Sequence, residues 1–271
     1  MPRSAHLSCG FARPIGPRSL AAGLALAALI LLPSRAARAV ELNVLAAGAT
    51  QSTVHDMVGQ FEKQTGHTVK LAYGAVGALR DRIYAGEAVD LTIVTPVIIE
   101  QLQAKGLVRV ETRTDLGRVG GGIAVRSGAP HPAVKTAEEL KQALLAADLV
   151  YYADPATATA GAYFVKVADR LGVGEAVRRK SRTASGGKEA MEMMAKDPGK
   201  AIGVTQISEI VSARGVDFVA PYPGDLQVMT TYTGIVLTRT AHPDAAAAFL
   251  KFLTSAPVQE RFARAGYEVS R

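Results

Sequence analysis

The chain has almost no cysteine. Among its 271 residues only Cys9 is present, inside an N-terminal stretch that reads as a leader. Residues 40–271 therefore hold no disulfide, no thiol nucleophile and no thiolate metal site. Beyond the leader lie His55, His67, His131 and His242, and none has another His, Asp or Glu at a metal-ligand spacing. No GxSxG elbow, Walker loop or dinucleotide fingerprint occurs. Gly120–Gly122 is not a phosphate loop, because no lysine motif and helix follow it. Solenoid-period repeats and low-complexity tracts are also missing. No metal or other cofactor is expected.

An excess of positive charge is present but misleading. The formal net charge is +7, yet residues 1–39 carry five arginines and no acids, which leaves +2 for 40–271. Nucleic-acid binding needs a basic stripe on the folded domain, and Arg178-Arg179-Lys180 reads only as a solvated face. No nucleic-acid partner is expected.

The leader has an ordinary form. Arg3, Arg13 and Arg18 precede an apolar run, Leu20–Leu32, that is too short to span a bilayer comfortably. Ala37-Arg38-Ala39 fits a small-x-small cleavage site. The expectation is export, with cleavage after Ala39 and a product free in the periplasm. Without a cysteine at that point, no lipid anchor and no stable membrane anchor are expected.

Strand and helix signals then alternate. Asn43–Asp56 starts as a buried strand, passes through Ala46-Ala47-Gly48-Ala49, and enters a helix with Val54, Met57, Val58 and Phe61 on one face. The same device recurs. Small-residue turns at Gly74–Gly77, Thr95, Thr159–Gly161, Gly187-Lys188 and Gln206 each precede a predicted helix. The order implies an α/β fold of parallel strands with helices on both faces. The glycine run in Arg118–Arg126 reads as a crossover between domains. Residues 40–122 with 229–271 are expected to form one lobe and 123–228 the other. Thr136 and Glu139 predict a capping box for a helix over Ala137–Ala147.

Helix starts at the carboxyl ends of strands offer free N–H groups and the positive end of the helix dipole, which suit an anion. Two such lobes closing on a hinge would surround a small molecule. A tight strand-to-helix turn serves equally well without a ligand, so each candidate has two readings. Thr50 and Gln51 either cap the first helix or reach the cleft. Tyr73 and Tyr232 either pack or present hydroxyls. Thr157 and Thr159 lie in a turn that needs polar residues in any case. Arg80 reads as a solvated-face residue. Lys188 is either solvated or paired with an anion, because a cation at a helix start opposes the dipole. The Gln206 amide could read a carboxylate.

The segments LAAGAT (45–50), YGAVGALRDRIYAGEAVDLTIV (73–94), DPATATAGAYF (154–164), AIGVTQISEI (201–210) and TGIVLTRTAHPDAAAAFLKFL (233–253) resemble the periplasmic molybdate-binding protein family. The resemblance covers nearly all of 41–269. It implies a type II periplasmic binding fold, with two α/β lobes, a ligand cleft and a two-strand hinge. It also implies a small anionic ligand and an ABC transporter permease as partner. Carried over, it marks Ala49, Gly77, Thr95, Ala160, Gly187 and Gln206. With Thr50, Ala78, Thr159, Gly161, Lys188 and Tyr232 from the reading of the turns and the long strand, these form the expected ligand-binding set. The family's two serine positions fall on Ala49 and Gly77, and its turn tyrosine on Gln206. Three lost donors at about 0.5–1.5 kcal/mol each disfavour molybdate. TQISEI, TDLGR followed by AVRSGAP, and MTTYTG also resemble the periplasmic aconitate isomerases, built on the same fold. The favoured ligand is then an organic carboxylate, with an inorganic oxyanion second. In the isomerase alternative the candidate proton carriers are Lys188, Tyr73 and Tyr232.

Overall fold

The computed structural model describes Gly10 and residues 39–269. The leader features named above, from the basic residues to Ala37-Arg38, lie outside the described residues.

The first strand, β1 (Glu41–Ala47), buries Leu42 and the run from Val44 to Ala47, with Glu41 exposed and Asn43 half-buried. It leads through a 3₁₀ turn, Gly48–Thr50, into α1 (Gln51–Thr65). Val54 and Phe61 of α1 are buried, as the helical spacing predicts. Gly66 ends the helix in the left-handed region at φ 74°, and its N–H donates to the Glu62 carbonyl. β2 (Thr68–Gly74), α2 (Val76–Tyr84), β3 (Leu91–Val94) and α3 (Pro96–Gln103) follow. Pro96 occupies the first turn of α3, where a missing N–H costs nothing.

β4 (Thr114–Arg126) is the longest strand. α4 (Ala137–Ala146) begins with the capping box of Thr136 and Glu139, both halves formed. Then come β5 (Leu149–Ala153), α5 (Thr159–Arg170), α6 (Gly174–Arg179), β6 (Ser181–Ala184) and α7 (Gly187–Ala195). The chain continues through β7 (Ala201–Gln206), α8 (Ile207–Ser212), β8 (Val216–Pro221) and β9 (Met229–Val236). It closes with α9 (Pro243–Leu253) and α10 (Ala256–Arg264).

The strands make one nine-stranded sheet, ordered β2-β1-β3-β9-β4-β7-β5-β6, with β8 on β4. It is mixed, not wholly parallel. β1 pairs in parallel with β2 and β3, and β5 with β6 and β7. β9 and β4 run antiparallel to their neighbours. β9 follows β8 with only a 3₁₀ turn between them, whereas α3 lies between β3 and β4.

β4 changes partners at its glycines. Residues up to Gly120 pair with β9, and Gly121 onward pair with β7 and β8. A Cβ on Gly121 would sit 2.1 Å from the Tyr222 ring, and one on Gly120 would sit 2.4 Å from the Gln227 amide. The Gln227 amide bonds the Gly121 backbone twice, accepting its N–H at 3.1 Å and donating to its carbonyl at 3.0 Å. Those side chains need the space, so three glycines stand together in a strand.

Apolar packing follows the same division. Leu42, Ile93, Phe61, Phe249 and Phe262 share one cluster. Ile123, Val150, Phe164 and Val204 share another, and Met191 and Met194 a smaller third. A fully buried Phe or Leu contributes about 1.5–3 kcal/mol.

Candidate functional site

The carboxyl ends of β1, β2 and β5 meet the starts of α1, α2, α5 and α7 around one cavity of about 280 Å³. β1 and its turn supply Ala47, Gly48, Ala49 and Gln51. β2 and α2 supply Tyr73, Gly74, Ala75 and Val76. Ala153, Ala158, Thr159 and Ala160 come from β5 and α5. Ser185 to Glu189, with Glu192, come from the turn into α7 and from α7 itself. Glu209 of α8 and Tyr232 of β9 complete the wall. The first turn of each longer helix leaves N–H groups without intrahelical partners. Much of the remaining wall is alanine and valine.

Half of the expected set lies here: Ala49, Thr159, Ala160, Gly187, Lys188 and Tyr232, together with Tyr73. The other half is not among the residues that line it. Thr50 is buried with its hydroxyl donating to the Ala47 carbonyl at 2.8 Å, and the cavity sees Gln51 instead. The Gly77 N–H, expected to face a ligand, donates to the Thr157 carbonyl at 3.0 Å. A Cβ on Gly77 would lie 3.0 Å from that same oxygen, so its smallness serves a loop-to-loop contact. Ala78 is exposed, and Thr95 is buried ahead of α3. At Gly161 a Cβ would lie 2.0 Å from the Ala153 carbonyl, so this glycine lets α5 pack on β5. The Gln206 amide turns to β9, where Nε2 donates to Thr230 Oγ1 at 2.9 Å. Arg80 holds Asp81 and the Gln101 side chain, away from the cavity.

Glu209 is the residue that the sequence reading passed over. It is 6% exposed. Thr205 Oγ1 donates to its Oε2 at 2.5 Å. A Cβ at Gly187 would fall 1.9 Å from Thr205 Oγ1 and 2.2 Å from Glu209 Oε2, so the carboxyl lies where a side chain on α7 would begin. Its other oxygen, Oε1, lies 3.3 Å from the Cβ position of Gly48. The carboxyl thus spans the gap between the starts of α1 and α7. Burial pushes its pKa above the usual glutamate value. The Thr205 hydroxyl and the N–H groups of Gln206, Lys188 and Gly187 pull the other way without cancelling that rise.

Two phenols share the wall. Tyr73 is half-buried, and its hydroxyl is shielded with no hydrogen-bond partner among the described residues. Burial first, and the Asp56 charge second, push its pKa up. Tyr232 is pushed well up by burial, then by Tyr267 and Glu209, against a smaller lowering by Gln206. Ser185 adds a hydroxyl, fixed by donation to Glu189 Oε2 at 2.5 Å. Among the described residues that line the cavity, Lys188 is the one cation. No group of three or more His, Cys, Asp or Glu able to hold a metal occurs among the described residues.

The model of the bacterial extracellular solute-binding protein family matches residues 42–268. This chain belongs to that family. The solute-binding protein is 32% identical to the aconitate isomerase of a Pseudomonas species over 243 residues, which cover 86% of this chain and 90% of that protein. It is 26% identical to the molybdate-binding protein ModA of Azotobacter vinelandii over 238 residues, covering 86% and 91%. Among solved structures it is similar to the periplasmic molybdate-binding protein of A. vinelandii, with a TM-score of 0.72, 19% identity and coverage of 85% and 100%. The sulfate-binding protein SubI of Mycobacterium tuberculosis follows at TM-score 0.69, 17% identity and coverage of 85% and 87%. The fold is that of the type II periplasmic binding proteins. Among the described residues no helix is long and apolar enough to cross a membrane.

Proposed function

We propose that this solute-binding protein captures a small organic polycarboxylate in the periplasm and delivers it to an ABC importer. Residues 40–122 with 229–271 act as one lobe, and 123–228 as the other. The observation that carries the choice of ligand is the make-up of the wall. A tetrahedral oxyanion needs donors on every side. This cavity offers helix-start N–H groups and Lys188 on part of its surface, alkyl groups of Ala47, Ala75, Val76 and Ala158 elsewhere, and a buried acceptor in Glu209. Alkyl walls suit a carbon skeleton, and a carboxyl can share a proton with a carboxylate. The test is thermal shift of the exported protein with molybdate, tungstate, sulfate, citrate and both aconitate isomers. The expected result is stabilisation by a tricarboxylate. Stabilisation by molybdate or sulfate alone would overturn the assignment.

A second reading has its own support, the 32% identity to an aconitate isomerase together with a carboxyl in the cavity wall. In it, ionised Glu209 removes a proton from a methylene carbon beside a substrate carboxylate. The C–H electron pair becomes the new double bond, and the old double bond takes a proton at its far carbon. That proton returns from Glu209 or comes from Lys188, Tyr73 or Tyr232. Proton NMR of trans-aconitate with a catalytic amount of protein reads this directly. An unchanged spectrum over hours excludes turnover and leaves the binding role standing.

A further inference from the structure

We propose that ligand capture is proton-coupled, because a bound carboxylate and the Glu209 carboxyl must share one proton. The inference rests on the polycarboxylate reading of the cavity.

The geometry leaves little freedom. Glu209 is on the wall, and its oxygens lie against Gly48 on one side and Gly187 on the other. Gly187 opens α7, whose first N–H groups, those of Gly187 and Lys188, already point at Glu209. Gly48 opens the 3₁₀ turn before α1, on the other side of the cavity where an anion would settle. An anion held there therefore lies beside a buried carboxyl. Two carboxylates at close range in a dry site do not both ionise, and one pKa rises strongly. The neighbours that face Glu209 do not remove the conflict. Tyr232 from β9 and Tyr267 from the C-terminal segment are phenols that burial keeps neutral. From β7, Thr205 offers a hydroxyl and Gln206 a backbone N–H, and α7 adds the N–H groups of Gly187 and Lys188; these favour one negative charge on Glu209 but not a second one on a ligand beside it. α7 contributes one cation, Lys188, but also Glu189 and Glu192. The turn before α1 has no ionisable side chain in Gly48–Thr50. A proton from solvent is the remaining way to balance the charge. It lies between a ligand oxygen and Glu209 as a carboxylic acid–carboxylate hydrogen bond. Sulfate, which stays fully ionised, cannot share such a proton and is rejected.

The experiment is isothermal titration of the exported protein with trans-aconitate, in buffers of differing ionisation enthalpy, at several values between pH 6 and pH 9. The carboxyls of this probe are ionised above about pH 6, so they contribute no titration of their own. Expected is uptake approaching one proton per ligand as pH rises, with affinity falling about tenfold per pH unit there. Glu209→Gln should bind with no uptake and a flat pH profile, and should gain affinity for sulfate. Thr205→Val keeps the shape of Thr205 but removes a donor to the carboxylate, so its uptake curve should move to higher pH. Tight binding by the parent protein without proton uptake at any pH overturns the proposal and leaves the polycarboxylate reading intact. Uptake that survives in Glu209→Gln also overturns it. Failure of trans-aconitate and citrate to bind at all removes both.

Discussion

Replacing Gly187 by alanine tests the packing at the cavity most sharply. The added methyl would start 1.9 Å from Thr205 Oγ1 and 2.2 Å from Glu209 Oε2, where ordinary contact begins near 3.4 Å. Neither group is a loose end, since both are buried and bonded to each other at 2.5 Å. Forcing a methyl into a packed site costs about 1–3 kcal/mol. Displacing Glu209 also breaks a hydrogen bond to a charged group, worth about 1.5–3 kcal/mol. Together the expected loss is about 2.5–6 kcal/mol. For a domain of this size that lowers Tm by at least about 5 °C. Gly186→Ala is the internal control. Its backbone is extended, at φ −154°, and a Cβ there meets nothing within 4 Å. It should change stability by no more than about 0.5 kcal/mol. Urea unfolding of the two variants in parallel decides the matter. Equal midpoints would mean that Glu209 does not occupy the space beside Gly187, and the carboxyl-lined wall would fall with it.

Tyr73→Phe removes a shielded hydroxyl that has no partner among the described residues, so ligand-free stability should hold or rise by up to about 1 kcal/mol. Trans-aconitate affinity should fall at least about threefold, and a destabilised variant would reveal a partner for the hydroxyl. Glu209→Gln should gain stability over the parent as pH rises. Burial sets the native pKa of Glu209 above its unfolded value of 4.5, so the unfolded chain ionises first and the parent loses stability from there upward. Urea midpoints at about pH 5 and about pH 8 check this, and a difference that shrinks with pH would contradict it.

Much of the fold could be read along the chain because it is locally encoded. The apolar spacing of α1, the Thr136–Glu139 box and the alternation of strand with helix each depend on neighbours a few residues apart. β6 escaped notice because Ser181–Ala184 is polar, largely exposed and at the sheet edge, so no buried run marks it. The antiparallel placement of β4 and β9 escaped because pairing across more than a hundred residues leaves no local pattern. The cavity was half legible. Small residues before helices are conspicuous, but the same smallness serves a ligand at Gly187 and a loop contact at Gly77 equally well. Glu209 was hidden for a related reason. An acid in the first turn of a helix looks like an ordinary partner for the dipole. Only the meeting of α8 with the starts of α1 and α7 puts its carboxyl in the wall.

β9 sits between β3 and β4, although about 130 residues of chain separate it from β3. A polypeptide emerging from its N-terminus has nothing to lay in that slot until Met229–Val236 has appeared. α9 packs on β9, and Phe249 and Phe262 fill the core that Leu42 and Phe61 begin. The slot between β3 and β4 therefore stays open until the C-terminal segment is made, and the opening strands are sealed last.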